Sequence, residues 1–104
     1  MAAGKRPRTQ RRADQRATRK LIHDRERLWL LSPGGSAERP MTIASPAAID
    51  ARVTSIPCPQ CEGELALKEH ETTAAGLRVI TARCKLCHVG RTIWFRLGGA
   101  TSAN

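Results

Sequence analysis

Four cysteines occur as two pairs with the same internal spacing. The pairs are Cys58-Pro59-Gln60-Cys61 and Cys84-Lys85-Leu86-Cys87, and twenty-two residues separate them. A tight turn with two intervening residues directs both sulfurs toward one point. Two such turns facing each other supply the four thiolates that Zn²⁺ accepts in tetrahedral geometry, at about 2.3 Å. We therefore predict one structural zinc ion per chain, bound by Cys58, Cys61, Cys84 and Cys87.

Other chemistries of these cysteines stay open at this point. The same four thiolates also suit a single iron ion, as in rubredoxin, because ligand identity alone does not separate zinc from iron. The string Cys58-Pro59-Gln60-Cys61 also fits a glutaredoxin-like redox site, although such a site opens a helix in a βαβ unit and needs no second pair. Reduced or disulfide-bonded cysteines without a metal are the remaining alternative.

The three histidines are not assigned to the metal, since a histidine ligand would have to displace one of the cysteines. His23 lies beside Asp24 on a predicted helix, and His70 follows an alternating strand pattern. His88 comes directly after a cysteine and is placed to hydrogen-bond near a sulfur, as groups around metal ligands often do.

The chain around the cysteines has the two-residue period of β-strands. Leu65 and Leu67 alternate with polar residues, and residues 77–81 and 92–97 are rich in β-branched and aromatic side chains. Residues 74–76 (Ala-Ala-Gly) predict a hairpin tip, and Val53 and Ile56 mark a weaker fourth run over residues 52–56. A hairpin closed in this way would bring the two cysteine pairs together.

Together, the two cysteine pairs and the hairpin strands between them resemble a zinc ribbon over about residues 52–97. The resemblance implies a small antiparallel β-domain of three to four strands around a structural metal ion. It does not imply one function, since zinc ribbons occur in transcription factors, ribosomal proteins, polymerase subunits and accessory domains of enzymes. Many ribbons carry glycine directly after the second cysteine of each pair, where this chain has Glu62 and His88.

Positive charge is concentrated in the N-terminal third of the chain. Residues 1–31 hold ten of the 18 Lys and Arg but only three of the nine Asp and Glu, so they carry +7 of the formal +9. We predict a disordered basic tail over residues 1–12 and an amphipathic basic helix over residues 13–31, with an apolar face formed by Leu21, Ile22, Leu28 and Trp29.

The remaining segments connect or end these units. Pro33, Gly34 and Gly35 should stop the helix, and residues 32–51 are predicted to be an extended Pro/Gly-containing linker. Residues 98–104 are predicted to be a disordered tail. The expected fold class is therefore small α+β, a basic helix followed by the ribbon.

A four-thiolate site leaves no open position for a substrate or an activated water, and no catalytic motif is found elsewhere, so we expect no enzymatic activity and no small-molecule substrate. The basic arm indicates non-sequence-specific contact with nucleic acid or a nucleoprotein assembly. The residues proposed for this contact are Arg8, Arg11, Arg12, Arg16, Arg19 and Lys20.

A protein partner or a homodimer is the alternative, docking through Leu21, Ile22, Leu28 and Trp29. No stretch is apolar enough for a membrane span or a secretory signal, so we expect no membrane association and a cytoplasmic location. An Arg-rich start also fits nuclear or organellar targeting.

Overall fold

The computed structural model describes residues 8–98 and contains two α-helices and one four-stranded sheet. In chain order, the elements are helix α1 (Arg8–Leu31), strand β1 (Met41–Ile43), a 3₁₀ turn (Pro46–Ala48), helix α2 (Ile49–Ser55), and strands β2 (Leu65–Thr72), β3 (Arg78–Cys84) and β4 (Gly90–Leu97). The strand order across the sheet is β1-β4-β3-β2. An N-terminal helix followed by this sheet confirms the predicted small α+β class.

The three long strands form an antiparallel meander, as expected for the segment that holds the cysteines. β2 pairs with β3 from Leu65 opposite Cys84 to Thr72 opposite Arg78, with an irregularity between Leu67 and Glu69. The connection closes with Gly76 N–H donating to Thr73 O at 3.0 Å, so the predicted hairpin tip is confirmed. β3 then pairs antiparallel with β4.

The fourth strand differs from the expectation in position and direction. β1 lies inside the segment predicted to be an extended linker, and it pairs parallel with β4, Met41 opposite Phe95 and Ile43 opposite Leu97. The sheet is therefore mixed. Residues 52–56, predicted as a strand, instead fall mostly in α2, because Ile49 and Val53 stand four residues apart and are both buried against the core.

Helix α1 begins earlier than predicted and ends where expected. It starts at Arg8, so the prediction of a disordered tail is wrong for residues 8–12; arginine and glutamine are good helix formers and need no apolar period. Residues 1–7 and 99–104, which hold the rest of the predicted tails, lie outside the described residues. At the C-terminal end, Gly35 packs so closely on Trp29 that a Cβ there would lie 1.8 Å from the Trp29 carbonyl oxygen.

One core joins the sheet, α2 and the end of α1. Its largest fully buried side chains include Phe95, Ile93, Ile80 and Leu65 from the sheet. Ile49 and Val53 of α2 and Trp29 of α1 complete it, and Cys58 and Cys84 belong to the same cluster. The cysteine site is therefore built on the edge of the hydrophobic core.

Candidate metal centre

The first cysteine pair lies in a turn between α2 and β2. Cys58 N–H donates to Gly63 O at 2.9 Å, and Glu62 N–H donates to Cys58 O at 2.8 Å. A bridge between Pro57 and Glu64 closes the base of the turn. These bonds fold Cys58 and Cys61 back so that both sulfurs leave the turn on the same side.

The second pair repeats this geometry in the turn between β3 and β4. Cys84 N–H donates to Val89 O at 3.1 Å, and His88 N–H donates to Cys84 O at 3.0 Å. Relative to the first cysteine, the partners stand at the same offsets, five and four residues on, as in the first turn. The two turns are therefore two copies of one cysteine loop.

Both loops turn through a left-handed residue directly after the second cysteine. The φ angles are 65° at Glu62 and 64° at His88, the positions where many zinc ribbons have glycine. The left-handed region costs free energy for a residue that carries a Cβ. Residues with short polar side chains occupy it more often than others. The chain therefore forms the expected turn without the expected residue.

The four sulfurs converge on one point. Cys58 Sγ lies 3.7 Å from Cys87 Sγ, and Cys61 Sγ lies 3.4 Å from Cys84 Sγ. All four sulfurs lie within 4.8 Å of one another. A tetrahedron with metal–sulfur distances of about 2.3 Å has edges of about 3.8 Å, so the donor set and its size fit a tetrahedral ion.

The cysteines are free rather than joined as disulfides, and their burial is graded. Cys58 and Cys84 are buried, Cys61 is half-buried and Cys87 is exposed. Within residues 8–98, no other group of three or more Cys, His, Asp or Glu side chains is placed to hold a metal. His23, His70 and His88 are exposed, and none of them belongs to this group of four side chains.

Gly63 is the close-packed residue of the centre. A Cβ at this position would lie 2.8 Å from Leu86 Cβ, 2.9 Å from Cys84 Sγ and 3.3 Å from Cys61 Sγ. Two of these atoms are ligands of the candidate site and the third belongs to the opposite loop. Only glycine leaves the two loops free to approach each other, a role that spacing alone did not reveal.

Backbone N–H groups prepare one sulfur for ionisation. Cys87 N–H and Leu86 N–H donate to Cys84 Sγ at 3.4 and 3.3 Å. The bond from Cys87 N–H, the bond from Leu86 N–H and hydrogen bonds from the neighbouring thiols outweigh the effect of burial and lower the pKa of Cys84 to about 6. The Gly63 N–H bond lowers the pKa of Cys61, but burial and the neighbouring thiols outweigh it and raise that pKa to about 12. Four adjacent thiols ionise together only when a cation shares the site.

Helix α1 docks on the first cysteine loop through Gln60, the residue just before Cys61. The Gln60 side-chain amide donates to Ile22 O at 3.0 Å and to Glu26 Oε2 at 2.7 Å. In return, Arg25 donates to Gln60 O at 2.8 Å. Gln60, which lies between the candidate ligands Cys58 and Cys61, therefore also holds helix α1 in place.

A buried arginine on the sheet completes this contact. The Arg91 guanidinium donates to both carboxylate oxygens of Glu26, at 2.7 and 2.8 Å, and lies 5.7 Å from the centre of the Trp29 ring. These bonds from Arg91, with a further one from Gln60, lower the pKa of Glu26. The bonds to Glu26 also raise the pKa of Arg91. The nearby Cys58 raises it by a smaller amount. The chain separates Glu26 from Arg91 by 65 positions, so no local pattern predicted the pair.

The residues proposed for nucleic-acid contact are all on the exposed surface of α1. Arg8, Arg11, Arg12, Arg16, Arg19 and Lys20 are exposed, and Lys20 forms an ion pair of 2.8 Å with Asp24. The structure therefore places all six on one element and leaves them accessible.

The predicted apolar face of α1 is divided between the core and solvent. Trp29 is only 8% exposed, whereas Leu21, Ile22 and Leu28 are 49%, 49% and 65% exposed. Within the described residues, Trp29 thus packs in the chain's own hydrophobic core. The remaining three side chains are the part of the predicted interface that stays accessible.

Comparison of the chain with protein-family models, with curated proteins and with solved structures finds no match. Among the described residues, no helix combines the length and the apolar character needed to cross a membrane.

Proposed function

We propose that this protein binds one zinc ion through Cys58, Cys61, Cys84 and Cys87, and that the ion stabilises the ribbon. The observation that carries the proposal is the convergence of four free sulfurs, within 4.8 Å, from two loops of the same geometry. A chain segment with so small a core needs this kind of reinforcement. Zinc contributes folding free energy directly in such sites.

The metal is tested by elemental mass spectrometry of the purified protein, with thiol titration before and after chelation. We expect one zinc per chain and four thiols that become reactive once the metal is removed. Iron instead of zinc would favour a rubredoxin-like electron carrier. A chain without metal, whose thiols react freely or pair as disulfides, would contradict it and favour a redox role.

The proposed role of the ion is structural. Four protein sulfurs fill its coordination shell, so no position remains for a water or a substrate. For this reason the proposal includes no enzymatic activity and no small-molecule substrate.

We further propose that α1 associates with nucleic acid without sequence specificity. The exposed cations of α1 supply the charge that phosphates attract, and the metal-stabilised ribbon holds the helix through Gln60 and Arg91. The slope of log K against log salt is negative, and removal of one cation that binds a phosphate should make it less negative by about 0.9 on duplex DNA.

A matched pair of variants tests this part. Replacing Arg11, Arg12, Arg16 and Arg19 by alanine should weaken binding and flatten the salt slope by about 3 to 4. The control replaces four other exposed cations, Arg52, Lys68, Arg83 and Arg96, by alanine, for the same change in net charge. If both variants lose affinity equally, net charge alone accounts for binding; if neither loses it, α1 is not the contact surface.

A protein-interaction module is the second candidate function. The exposure of Leu21, Leu28 and Leu31 favours it. These side chains are seven and three residues apart, so they lie on one side of α1, where they can pack on another helix. A second copy of this chain is the partner to test first. Sedimentation equilibrium of the zinc-loaded protein should then show dimers that Leu28→Lys abolishes, whereas a monomer at all concentrations would remove this homodimer.

A further inference from the structure

The helix α1 has an anchored part and a projecting part. All of the described hydrogen bonds that link α1 to the ribbon are made at Ile22, Arg25 or Glu26. Before that point, Gln10, Thr18 and Lys20 bond to Asp14 or Asp24 of the same helix. Residues 8–21 extend about 21 Å at 1.5 Å per residue. This fits a molecule whose longest dimension is 68 Å and whose other two are 24 and 23 Å.

The projecting part is basic on one side only. At about 100° per residue, its basic side chains cover about half of the helix circumference. In order around the helix they are Arg11, Arg8, Arg19, Arg12, Arg16 and Lys20. The opposite half holds no basic side chain; around the helix its residues are Ala13, Ala17, Gln10, Leu21, Asp14 and Thr18.

A basic surface this wide can meet phosphates on two sides at once. With Arg8 and Arg19 near the middle of the surface, Arg11 lies toward one edge and Arg16 and Lys20 toward the other. A row of charges on one narrow stripe would reach only one phosphate backbone. The arrangement is therefore complementary to a groove that has a backbone on each wall.

Groove dimensions then discriminate between classes of nucleic acid. The major groove of B-form DNA is about 12 Å wide and admits an α-helix, which is about 10–12 Å across with its side chains. The major groove of A-form RNA is too narrow and deep for side chains to read.

Single strands are a poorer match for a different reason. Their binding sites depend on aromatic side chains for stacking. The projecting part has none, since Trp29 is buried and Trp94 and Phe95 lie in β4.

We infer that the partner of α1 is double-stranded DNA, with the helix N-terminal to Ile22 seated in the major groove and the ribbon outside it. The inference rests on the proposed nucleic-acid function and narrows it to one class of ligand. Arginine is the commonest partner of phosphates and guanine edges in this groove, but no pattern of base-reading residues accompanies it here. The contact is therefore to groove shape and phosphates.

Fluorescence anisotropy of the zinc-loaded full chain tests the inference. The probes are a 16-base-pair DNA duplex, an RNA duplex of the same sequence, and a single DNA strand with the same number of phosphates. At equal ionic strength we expect the DNA duplex to bind about tenfold more tightly than either of the others. Equal affinities, or a preference for RNA or for the single strand, would overturn the duplex inference while leaving nucleic-acid binding intact. No binding to any probe would remove both.

A second comparison separates helix shape from charge. Thr18→Pro breaks the helix inside the projecting part without changing its charge, and Thr18→Ala removes the same hydroxyl while keeping the helix. Metal content should match the wild type in both, because the Thr18 hydroxyl donates to Asp14 O of the same helix and not to the ribbon. We expect Thr18→Pro to lose the preference for duplex DNA and Thr18→Ala to keep it. A preference that survives the proline would contradict insertion of a helix.

Discussion

Gln60 Nε2 donates a hydrogen bond to Glu26 Oε2 across 2.7 Å and thereby joins the first cysteine loop to helix α1. Gln60 stands between Cys58 and Cys61, so its position depends on the geometry of the ligand loop. Glu26 in turn receives both bonds of Arg91 from β4. The cysteine site, the sheet and the basic helix are therefore coupled through three side chains, Gln60, Glu26 and Arg91.

Replacing Gln60 by alanine should release this coupling while leaving the ligands in place. We expect the zinc content to be unchanged and amide hydrogen exchange in residues 22–29 to accelerate about tenfold, which corresponds to about 1.4 kcal/mol of local stability. Gln15→Ala is the matched control, because Gln15 is an exposed residue in the projecting part of the same helix. Unchanged exchange in the Gln60 variant would show that other contacts hold α1.

Replacing Glu26 by glutamine should destabilise the fold itself. The change leaves the buried Arg91 guanidinium, whose side chain is 4% exposed, without its anionic partner. Because the Glu26 side chain is 39% exposed, the loss should be moderate, about 1–2 kcal/mol in the free energy of unfolding of the zinc-loaded protein in urea.

The control for this change is Glu38→Gln, which neutralises an exposed carboxylate in the loop after α1. It should leave the free energy of unfolding within about 0.5 kcal/mol of the wild type. A Glu26 variant as stable as the Glu38 variant would mean that Arg91 finds a compensating partner, such as a bound water.

Replacing Gly63 by alanine should weaken metal binding. The new methyl group would lie 2.9 Å from Cys84 Sγ and 2.8 Å from Leu86 Cβ, so the two loops would have to move apart. We expect at least about a tenfold loss of zinc affinity, measured by competition with a chromophoric chelator. Gly90→Ala is the control, since a Cβ there meets nothing within 4 Å. Equal affinities in the two variants would show that the loops can absorb the methyl group.

Replacing Glu62 by glycine should stabilise the protein. Glu62 has a φ of 65°, a conformation that costs a residue with a Cβ about 1–2 kcal/mol. Glycine removes this cost but adds flexibility to the unfolded chain, so the expected gain is about 0.5–1 kcal/mol. Glu62→Ala removes the same carboxylate and keeps the strain, and it should not give this gain. Denaturant unfolding of both zinc-loaded variants measures the difference.

The sequence by itself determined the features that depend on short-range spacing. Two residues between cysteines predict a ligand loop, alternation at Leu65 and Leu67 predicts a strand, and Pro33 with two glycines ends a helix. These features were found because each is encoded within a few consecutive residues.

The tertiary structure alone decided the long-range contacts. β1 is three residues long and exists because β4 offers it a parallel edge, while residues 52–55 are helical because Ile49 and Val53 reach the same core. The same holds for the contact that positions α1. Glu26 of α1 and Arg91 of β4 are 65 residues apart, and their pairing depends on how the helix packs on the sheet and not on any local pattern.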